Sequence, residues 1–156
     1  MTDHAAGAAA RMDWEHGTPM MVGPWMIGLA DPSPETLGYW DGVADERLVV
    51  KRCGGCGRHH HPRRMFCYAC GSDDMRWVDA GGSGEIYTFS VVHRAPTEAF
   101  QRETPYTVGI LRLDEGVFFF SRLYARNGAE IKIGARAKVA FEDVSTFGKL
   151  PVFYVG

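Results

Sequence analysis

Four cysteines in two equal spacings are the residues of this 156-residue chain with the clearest capacity for chemistry. They form two C-x-x-C-G segments, which we call knuckles, at residues 53–57 and 67–71. Two intervening residues allow a tight turn that aims both sulfurs at one point, and the following glycine gives that turn its backbone freedom. Two knuckles brought together predict a tetrahedral cage of four thiolates, which fits Zn²⁺ first and iron second.

Such a cage leaves no coordination position open for water or substrate. Closed cages of four thiolates are structural, and the bound metal supplies folding free energy to a segment too short to bury its own core. We therefore predict a structural Zn²⁺ and assign no catalytic residue. Iron, in an electron carrier of the rubredoxin type, is the less favoured occupant, because the spacing does not separate the two ions. The predicted ligands are Cys53, Cys56, Cys67 and Cys70.

Basic and imidazole side chains surround the knuckles. Residues 47–71 contain six Lys and Arg residues and no Asp or Glu, although the whole chain has a net charge of −2. Because guanidinium groups match phosphate oxygens, this segment predicts contacts with phosphate-bearing molecules or with acidic groups of a partner. A solvated surface is the alternative, and the histidines are expected in a loop. The candidate contacts are Arg58, His59, His60, His61, Arg63 and Arg64.

The rest of the chain offers little catalytic chemistry of its own. Every cysteine belongs to the predicted cage, so no thiol nucleophile remains. His93 and Arg94 end a predicted strand and are interpreted as structural or interface residues. The adjacent carboxylates of Asp114 and Glu115 precede a glycine and are expected to be solvated residues of a hairpin turn.

The elements that position these residues follow from local patterns. Residues 1–30 are predicted to be an irregular arm, whose large apolar side chains pack on this domain or on a partner chain. Residues 31–47 predict a short amphipathic helix, with Ser33 as N-cap and Pro34 in the first turn, that ends before Leu48. Residues 48–79 form the cysteine ribbon, and residues 80–156 form a β domain. The predicted buried face of the helix is Leu37, Trp40, Val43 and Ala44.

Five strand-like segments follow the ribbon and predict a small antiparallel barrel or sandwich. They read EIYTFSVVH, YTVGILRL, VFFFSRLY, ARAKVAFEDV and LPVFYVG. Alternation places Tyr87, Phe89 and Val91 on one face of the first strand. With Phe118 and Phe120, the aromatic residues of this strand are predicted to pack in the core; the alternative is a platform on which nucleic-acid bases stack. Loop residues Phe100 and Tyr106, between the first two strands, are candidate ligand contacts.

Composition limits the cellular compartments and the classes of binding partner that we expect. No segment reaches the roughly 18 consecutive apolar residues of a membrane span, and the first residues lack the cationic start of a secretory signal. We predict a cytoplasmic protein without a membrane partner, where paired C-x-x-C segments bind metal more often than they form disulfides. The small net charge gives no general reason to expect nucleic acid.

The longer strings carry a resemblance to a known family. SGEIYTFSVVHRAP, TPYTVGILRLDEGVFFFSRL, IKIGARAKVAFE and LPVFYV, preceded by a helix and the two knuckles, resemble the DUF35 family from about Pro32 to the C-terminus. The resemblance implies a mainly β chain in which a rubredoxin-like zinc ribbon precedes a five-stranded OB-fold barrel described as acyl-CoA-associated.

The family's role is also implied by this resemblance. It implies a small non-catalytic subunit that forms a hetero-oligomer with a thiolase-like catalytic subunit, such as the benzylsuccinyl-pathway thiolase. The two chains would share a coenzyme A thioester, with Arg58, Arg63 and Arg64 at its phosphates or at the partner. The alternative functions are a single-stranded nucleic-acid binder built from ribbon and barrel and, less favoured, the electron carrier.

Overall fold

The computed structural model describes residues 34–95, 98–143 and 149–156. The predicted arm of residues 1–30 and the predicted N-cap Ser33 lie outside the described residues. Strands are the main regular structure of the described chain and form a small three-stranded sheet and a closed five-stranded one. No helix among the described residues is long and apolar enough to cross a lipid bilayer.

The predicted helix forms but buries a partly different face. A 3₁₀ turn, Pro34–Thr36, leads into helix α1, Leu37–Ala44, which ends before Leu48 as predicted. Leu37 and Trp40 are only partly buried and Ala44 is exposed. Val43 is buried as predicted, and the other buried residues are Thr36, Tyr39 and Gly42. The reason is tertiary: the Tyr39 ring lies 5.0 Å from that of Trp40 and 6.0 Å from that of Phe119, so the helix turns its tyrosine inward.

The cysteine ribbon contains a three-stranded antiparallel sheet in the order β2-β1-β3. Its strands are β1, Val49–Cys53, β2, His59–His60, and β3, Met75–Asp79. On the central strand Lys51 lies opposite His60 on one side and Trp77 on the other. Part of the predicted histidine loop is therefore an edge strand.

The C-terminal strands close into a barrel in the order β4-β5-β6-β8-β7, with β7 pairing back to β4. The five predicted strands are confirmed, and all pairs are antiparallel except β6 with β8. A short helix, α2, lies between the first two strands. The bounds are β4 Ser83–Val92, α2 Glu98–Gln101, β5 Tyr106–Leu113, β6 Phe118–Ala125, β7 Arg136–Asp143 and β8 Lys149–Val155.

Helix, ribbon and barrel share one hydrophobic core. Val49 and Val50 of the ribbon, Val43 of α1, and Ile86 and Phe153 of the barrel belong to the same cluster of buried residues. A backbone hydrogen bond of 2.7 Å from the amide of residue 80 to the carbonyl of residue 48 adds to this junction. Because burial of apolar side chains is the main favourable term in folding, the ribbon and the barrel stabilise each other.

The prediction that the strand aromatics pack in the core is wrong. Tyr87 is 56% exposed, Phe118 49% and Phe120 65%. Three consecutive phenylalanines occupy 118–120, and strand alternation sends only the middle one, Phe119, into the barrel. On the outer surface the rings of Tyr87 and Phe118 meet edge to face, 5.0 Å apart.

A β-bulge also separates Tyr87 from Phe89, which the alternation had placed on one face. The register with β5 shifts between Ile86 and Thr88, so that Phe89 pairs with Gly109. A bulge inserts one extra residue and reverses the alternation that follows it. Phe89, 36% exposed, therefore does not continue the face of Tyr87.

The predicted hairpin between β5 and β6 is present, but its two carboxylates hold structure and are not simply solvated. Asp114 accepts two hydrogen bonds of 2.7 Å from Arg136 at the start of β7. The hydrogen bond and the charge of that guanidinium lower the pKa of Asp114. Glu115 accepts a 2.6 Å hydrogen bond from the backbone N–H of Gly81, in the connection between ribbon and barrel.

Candidate metal centre and ligand groove

The two knuckles bring the four sulfurs together. All four Sγ atoms lie within 4.8 Å of one another, and the pairs Cys53–Cys70 and Cys56–Cys67 are each 3.5 Å apart. Four ligands at about 2.3 Å from a zinc ion in a tetrahedron are about 3.8 Å from each other. The spacing therefore fits a closed metal site with four thiolate ligands, and iron of similar geometry fits the same cage.

The backbone of the two knuckles is the same, and it explains the glycine after each second cysteine. Gly57 and Gly71 have φ angles of 75° and 73°, which favour glycine. Each donates its N–H to the carbonyl of the first cysteine of its knuckle, at 2.9 Å in one and 2.8 Å in the other. The repeated turn presents two sulfurs on one side of each loop.

The same turn prepares a sulfur for metal. The backbone N–H of Cys56 donates to Sγ of Cys53 at 3.5 Å. This hydrogen bond is the main reason why the pKa of Cys53 falls to about 6. Since metals bind the thiolate and not the thiol, a lowered pKa favours metal binding at neutral pH.

The basic residues around the cage fall into two groups, and the first supports the fold. Arg47 pairs with Asp79 at 2.7 Å. Lys51 is buried; its ammonium donates to the carbonyl of Arg64 at 3.1 Å and lies 4.7 Å from the centre of the Trp77 ring. Burial lowers the pKa of this ammonium. Both cations thus make contacts within the fold.

The second group comprises the predicted contacts Arg58, Arg63 and Arg64, all of which are exposed. The guanidinium of Arg58 lies 5.5 Å from the centre of the Tyr68 ring. In the part of the ribbon from residue 58 to residue 71 no carboxylate offsets these charges. They remain candidates for phosphate or partner contacts.

The three histidines, grouped in the sequence, have different environments. His60 is 2% exposed and both of its ring nitrogens lack a hydrogen-bond partner, so it faces the interior of the ribbon, with its ring against Tyr68. His59 pairs with Arg52 in the sheet. His61 alone reaches a cavity: its Nδ1 accepts a 3.2 Å hydrogen bond from the backbone N–H of Arg63.

That cavity is an open groove of about 1100 Å³ where helix, ribbon and barrel meet. Trp40 of the helix, His61 of the ribbon and Phe120 of the barrel line its walls. The predicted contacts Phe100 and Tyr106 line it as well, with ring centres 6.1 Å apart. His93 and Arg94, also predicted contacts, are exposed after β4 and are not among the lining residues.

One end of the groove is polar and was not found from the sequence. Arg122 lines it, forms an ion pair with Glu103 and stacks on the Tyr106 ring at 4.3 Å. Tyr124 receives a weak hydrogen bond of 3.4 Å from the same guanidinium. Alternation alone could have placed Arg122 on the outer face with Phe120, but no local pattern shows that a loop folds over it.

Comparison with known proteins matches both halves of this arrangement. Residues 40–76 match a family model described as the ChsH2 rubredoxin-like zinc ribbon domain. Residues 77–142 match the ChsH2 C-terminal OB-fold domain. The two ranges meet between Arg76 and Trp77, within strand β3.

Two curated proteins are similar to this chain in sequence. A probable enoyl-CoA hydratase alpha subunit of Thermomonospora curvata is 33% identical over 115 residues, which is 74% of this chain and 35% of the relative. This chain thus spans about a third of that protein. A DUF35 domain-containing scaffold protein of Methanocaldococcus jannaschii is 29% identical over 102 residues, 65% of this chain and 72% of the relative.

A solved structure supports the same assignment. A chain of the structure titled Ltp2-ChsH2(DUF35) aldolase superposes with a TM-score of 0.70 and 31% sequence identity, covering 79% of this chain and 95% of that chain. Sequence and architecture therefore agree on the zinc ribbon and the OB-fold. The chain belongs to the DUF35 family, with a zinc ribbon and an OB-fold of the ChsH2 type.

Proposed function

We propose that this chain is a non-catalytic accessory subunit of a thiolase-type enzyme that acts on acyl-CoA thioesters. The observation that carries the proposal is the groove between helix, ribbon and barrel, which is large, open and apolar along much of its wall. Ligand sites in proteins are typically concave and mostly apolar, with a few convergent polar groups. An acyl-pantetheine chain has the length and polarity that such a groove accommodates.

The described part of the chain places no thiol nucleophile for acyl transfer in the groove, since no cysteine is among the lining residues. The hydroxyl of Ser121, which faces it, donates a 2.8 Å hydrogen bond to the carbonyl of Pro151 and is thereby held away from a base. Thioester chemistry needs an activated nucleophile, so the partner subunit supplies it, and this chain binds and orients.

Charge supports an orientation for the coenzyme. Arg63 lines the groove from the ribbon, with the exposed Arg64 next to it in sequence, whereas Glu142 and Asp143 line it from the barrel. Phosphates favour guanidinium groups and avoid carboxylates. The coenzyme A phosphates therefore lie at the ribbon, and the acyl end points toward the barrel.

The relatives widen the class of enzyme that this chain could accompany. One is a hydratase alpha subunit and another belongs to an aldolase structure. Hydratases, aldolases and thiolases of this kind all act beside a thioester carbonyl. We propose the thiolase as the partner because of the sequence resemblance. The experiment below also tests a hydratase and an aldolase as partners.

Co-expression tests the proposal. The chain is produced with a thiolase, an enoyl-CoA hydratase or an aldolase subunit of its source, and complexes are measured by size-exclusion chromatography with light scattering. We expect a stable complex with the thiolase, at least tenfold more active than the thiolase alone. If a complex forms only with the hydratase or only with the aldolase, that enzyme becomes the proposed partner in place of the thiolase. Absence of any complex, with each enzyme fully active by itself, would overturn the accessory role.

A second function has one observation in its favour. The exposed rings of Tyr87, Phe118 and Phe120 resemble the stacking surface of OB-folds that bind single-stranded nucleic acid. However, Arg112 on the same surface pairs with Glu85 at 3.0 Å, which offsets the positive charge that a polyanion requires. Fluorescence anisotropy with a 15-nucleotide oligothymidylate at low salt decides: no binding excludes this function.

A further inference from the structure

The polar end of the groove contains a buried donor without an acceptor. Arg122 uses Nη1 for Glu103 and for the hydroxyl of Tyr124. Its Nη2 is buried and has no hydrogen-bond partner. An unsatisfied buried N–H, above all on a charged group, is unfavourable, so this donor calls for an acceptor such as a bound ligand or an ordered water.

The position of this donor is well defined. The guanidinium stacks on the Tyr106 ring at 4.3 Å, and Glu103 holds one of its edges. The Arg122 side chain is 22% exposed and that of Glu103 34%. A planar guanidinium held on its face and on one edge directs its remaining N–H groups along fixed lines, so Nη2 selects where an acceptor oxygen sits.

The charges around the groove decide the kind of acceptor. Its described lining includes three carboxylates, Glu103, Glu142 and Asp143, and two cations, Arg63 and Arg122. Glu103 already neutralises Arg122. A further carboxylate at this end would meet net negative charge, whereas a neutral carbonyl oxygen would take the free N–H without repulsion.

We propose that Arg122 is a specificity-determining residue that donates from Nη2 to a neutral carbonyl oxygen in the acyl chain of a bound CoA thioester. This inference rests on the proposed function. Nη2 is buried in the unliganded chain, so a side chain that covers it moves aside as the ligand enters, while Glu103 keeps its ion pair with Nη1. The preferred substrates are then oxoacyl thioesters over saturated or dicarboxylic ones.

Isothermal titration calorimetry of the full zinc-loaded chain tests this with three probes. All three have a four-carbon acyl chain and a thioester carbonyl. Acetoacetyl-CoA has a ketone carbonyl in addition, butyryl-CoA has none, and succinyl-CoA has a terminal carboxylate. We expect acetoacetyl-CoA to bind about tenfold more tightly than the other two, as expected for one hydrogen bond to a charged donor.

The informative variant is Arg122→Lys, which keeps the positive charge and a partner for Glu103 but lacks the second donor nitrogen of the planar guanidinium. It should reduce the preference for acetoacetyl-CoA to less than about twofold and leave butyryl-CoA affinity unchanged, which also shows that the groove is intact. The matched control is Arg112→Lys, because Arg112 pairs with Glu85 outside the groove. It should keep the full preference.

A third variant tests the charge argument. Glu103→Gln removes the carboxylate that neutralises Arg122, and it should therefore strengthen succinyl-CoA binding several-fold. In the same variant acetoacetyl-CoA should still bind more tightly than butyryl-CoA. If succinyl-CoA binds the unaltered chain more tightly than acetoacetyl-CoA, the neutral-acceptor assignment is wrong.

The remaining outcomes separate this inference from the proposed function. Equal binding of acetoacetyl-CoA and butyryl-CoA, or a preference that survives Arg122→Lys, overturns the role of Arg122 and leaves the accessory role standing. Equal weakening of both thioesters in Arg122→Lys assigns the contact to the pantetheine part and overturns the acyl assignment. If no thioester and no free coenzyme A binds, the proposed ligand role fails, and this inference fails with it.

Discussion

The imidazole ring of His61, in the ribbon, lies 5.6 Å from the phenyl ring of Phe119, on barrel strand β6. Phe119 also meets Tyr39 of the helix, at 6.0 Å, and Phe153 of β8, at 6.2 Å. One buried ring thus contacts all three parts of the molecule that form the groove.

Phe119→Ala should destabilise the whole chain. The residue is 5% exposed, and loss of a buried phenyl ring costs about 3–5 kcal/mol of unfolding free energy. Urea unfolding followed by fluorescence measures the change. The neighbouring Phe118→Ala is the matched control: its ring is 49% exposed, and the loss should stay below about 1 kcal/mol. Similar losses in both variants would contradict the inside–outside assignment.

Metal removal should release the ribbon first. The chain should contain one metal equivalent, and excess chelator or Cys56→Ser should remove it and expose the amides of residues 49–79 to hydrogen exchange. His59→Asn is the control, because His59 is not part of the sulfur cage, and it should keep the metal. Full protection of the ribbon after chelation would show that the metal is not structural. Zinc gives a colourless protein, and iron a coloured one.

Acid should destabilise the ribbon through two histidines. Burial is the largest cause that lowers the pKa of both His60 and His61, and neighbouring arginines lower it further. The unfolded chain therefore takes up protons near its ordinary histidine pKa of about 6.5, while the folded chain does not. Stability is complete above that pH and is lost as the pH falls below it.

Urea unfolding at a series of pH values between 5 and 8, with zinc present, measures this loss. The double variant His60→Gln, His61→Gln should have a shallower dependence over this range, whatever its absolute stability. His93→Gln changes an exposed histidine and should keep the full slope. An unchanged slope in the double variant would assign the acid sensitivity to the cysteine thiolates.

The exposed arginines of the ribbon should bind the phosphates of coenzyme A. The double variant Arg63→Gln, Arg64→Gln should weaken coenzyme A binding roughly five- to tenfold, the size expected for two exposed ion pairs, and leave pantetheine binding unchanged. Calorimetry with the two compounds measures both. Arg94→Gln, outside the groove, is the control. Equal weakening of pantetheine would mean that the arginines shape the groove and do not contact phosphate.

Local patterns predicted much of this molecule. The spacing of the cysteines predicted the sulfur cage, since a C-x-x-C turn is formed by its own backbone and needs the following glycine at positive φ. The five strands and the hairpin at Asp114 also followed from alternation and turn residues. Each of these features depends on residues close together in the chain.

Features that depend on distant contacts were missed or placed wrongly. The helix buries Tyr39 because Phe119 lies beneath it, and no periodicity within α1 contains that information. A single bulge between Ile86 and Thr88 reversed the predicted face of Phe89. His60 and His61 are neighbours in sequence, yet one faces the ribbon interior and the other the groove.

The sequence by itself determined the cage of four sulfurs, the succession of five strands along the chain and the family, because these depend on spacing and short motifs. Only the tertiary structure decided which side chains form the groove. Arg122, Glu103 and Tyr106 meet there because barrel closure and the loop after α2 bring them together. Contacts between residues far apart in the chain arise from packing of the whole fold, which no local pattern encodes.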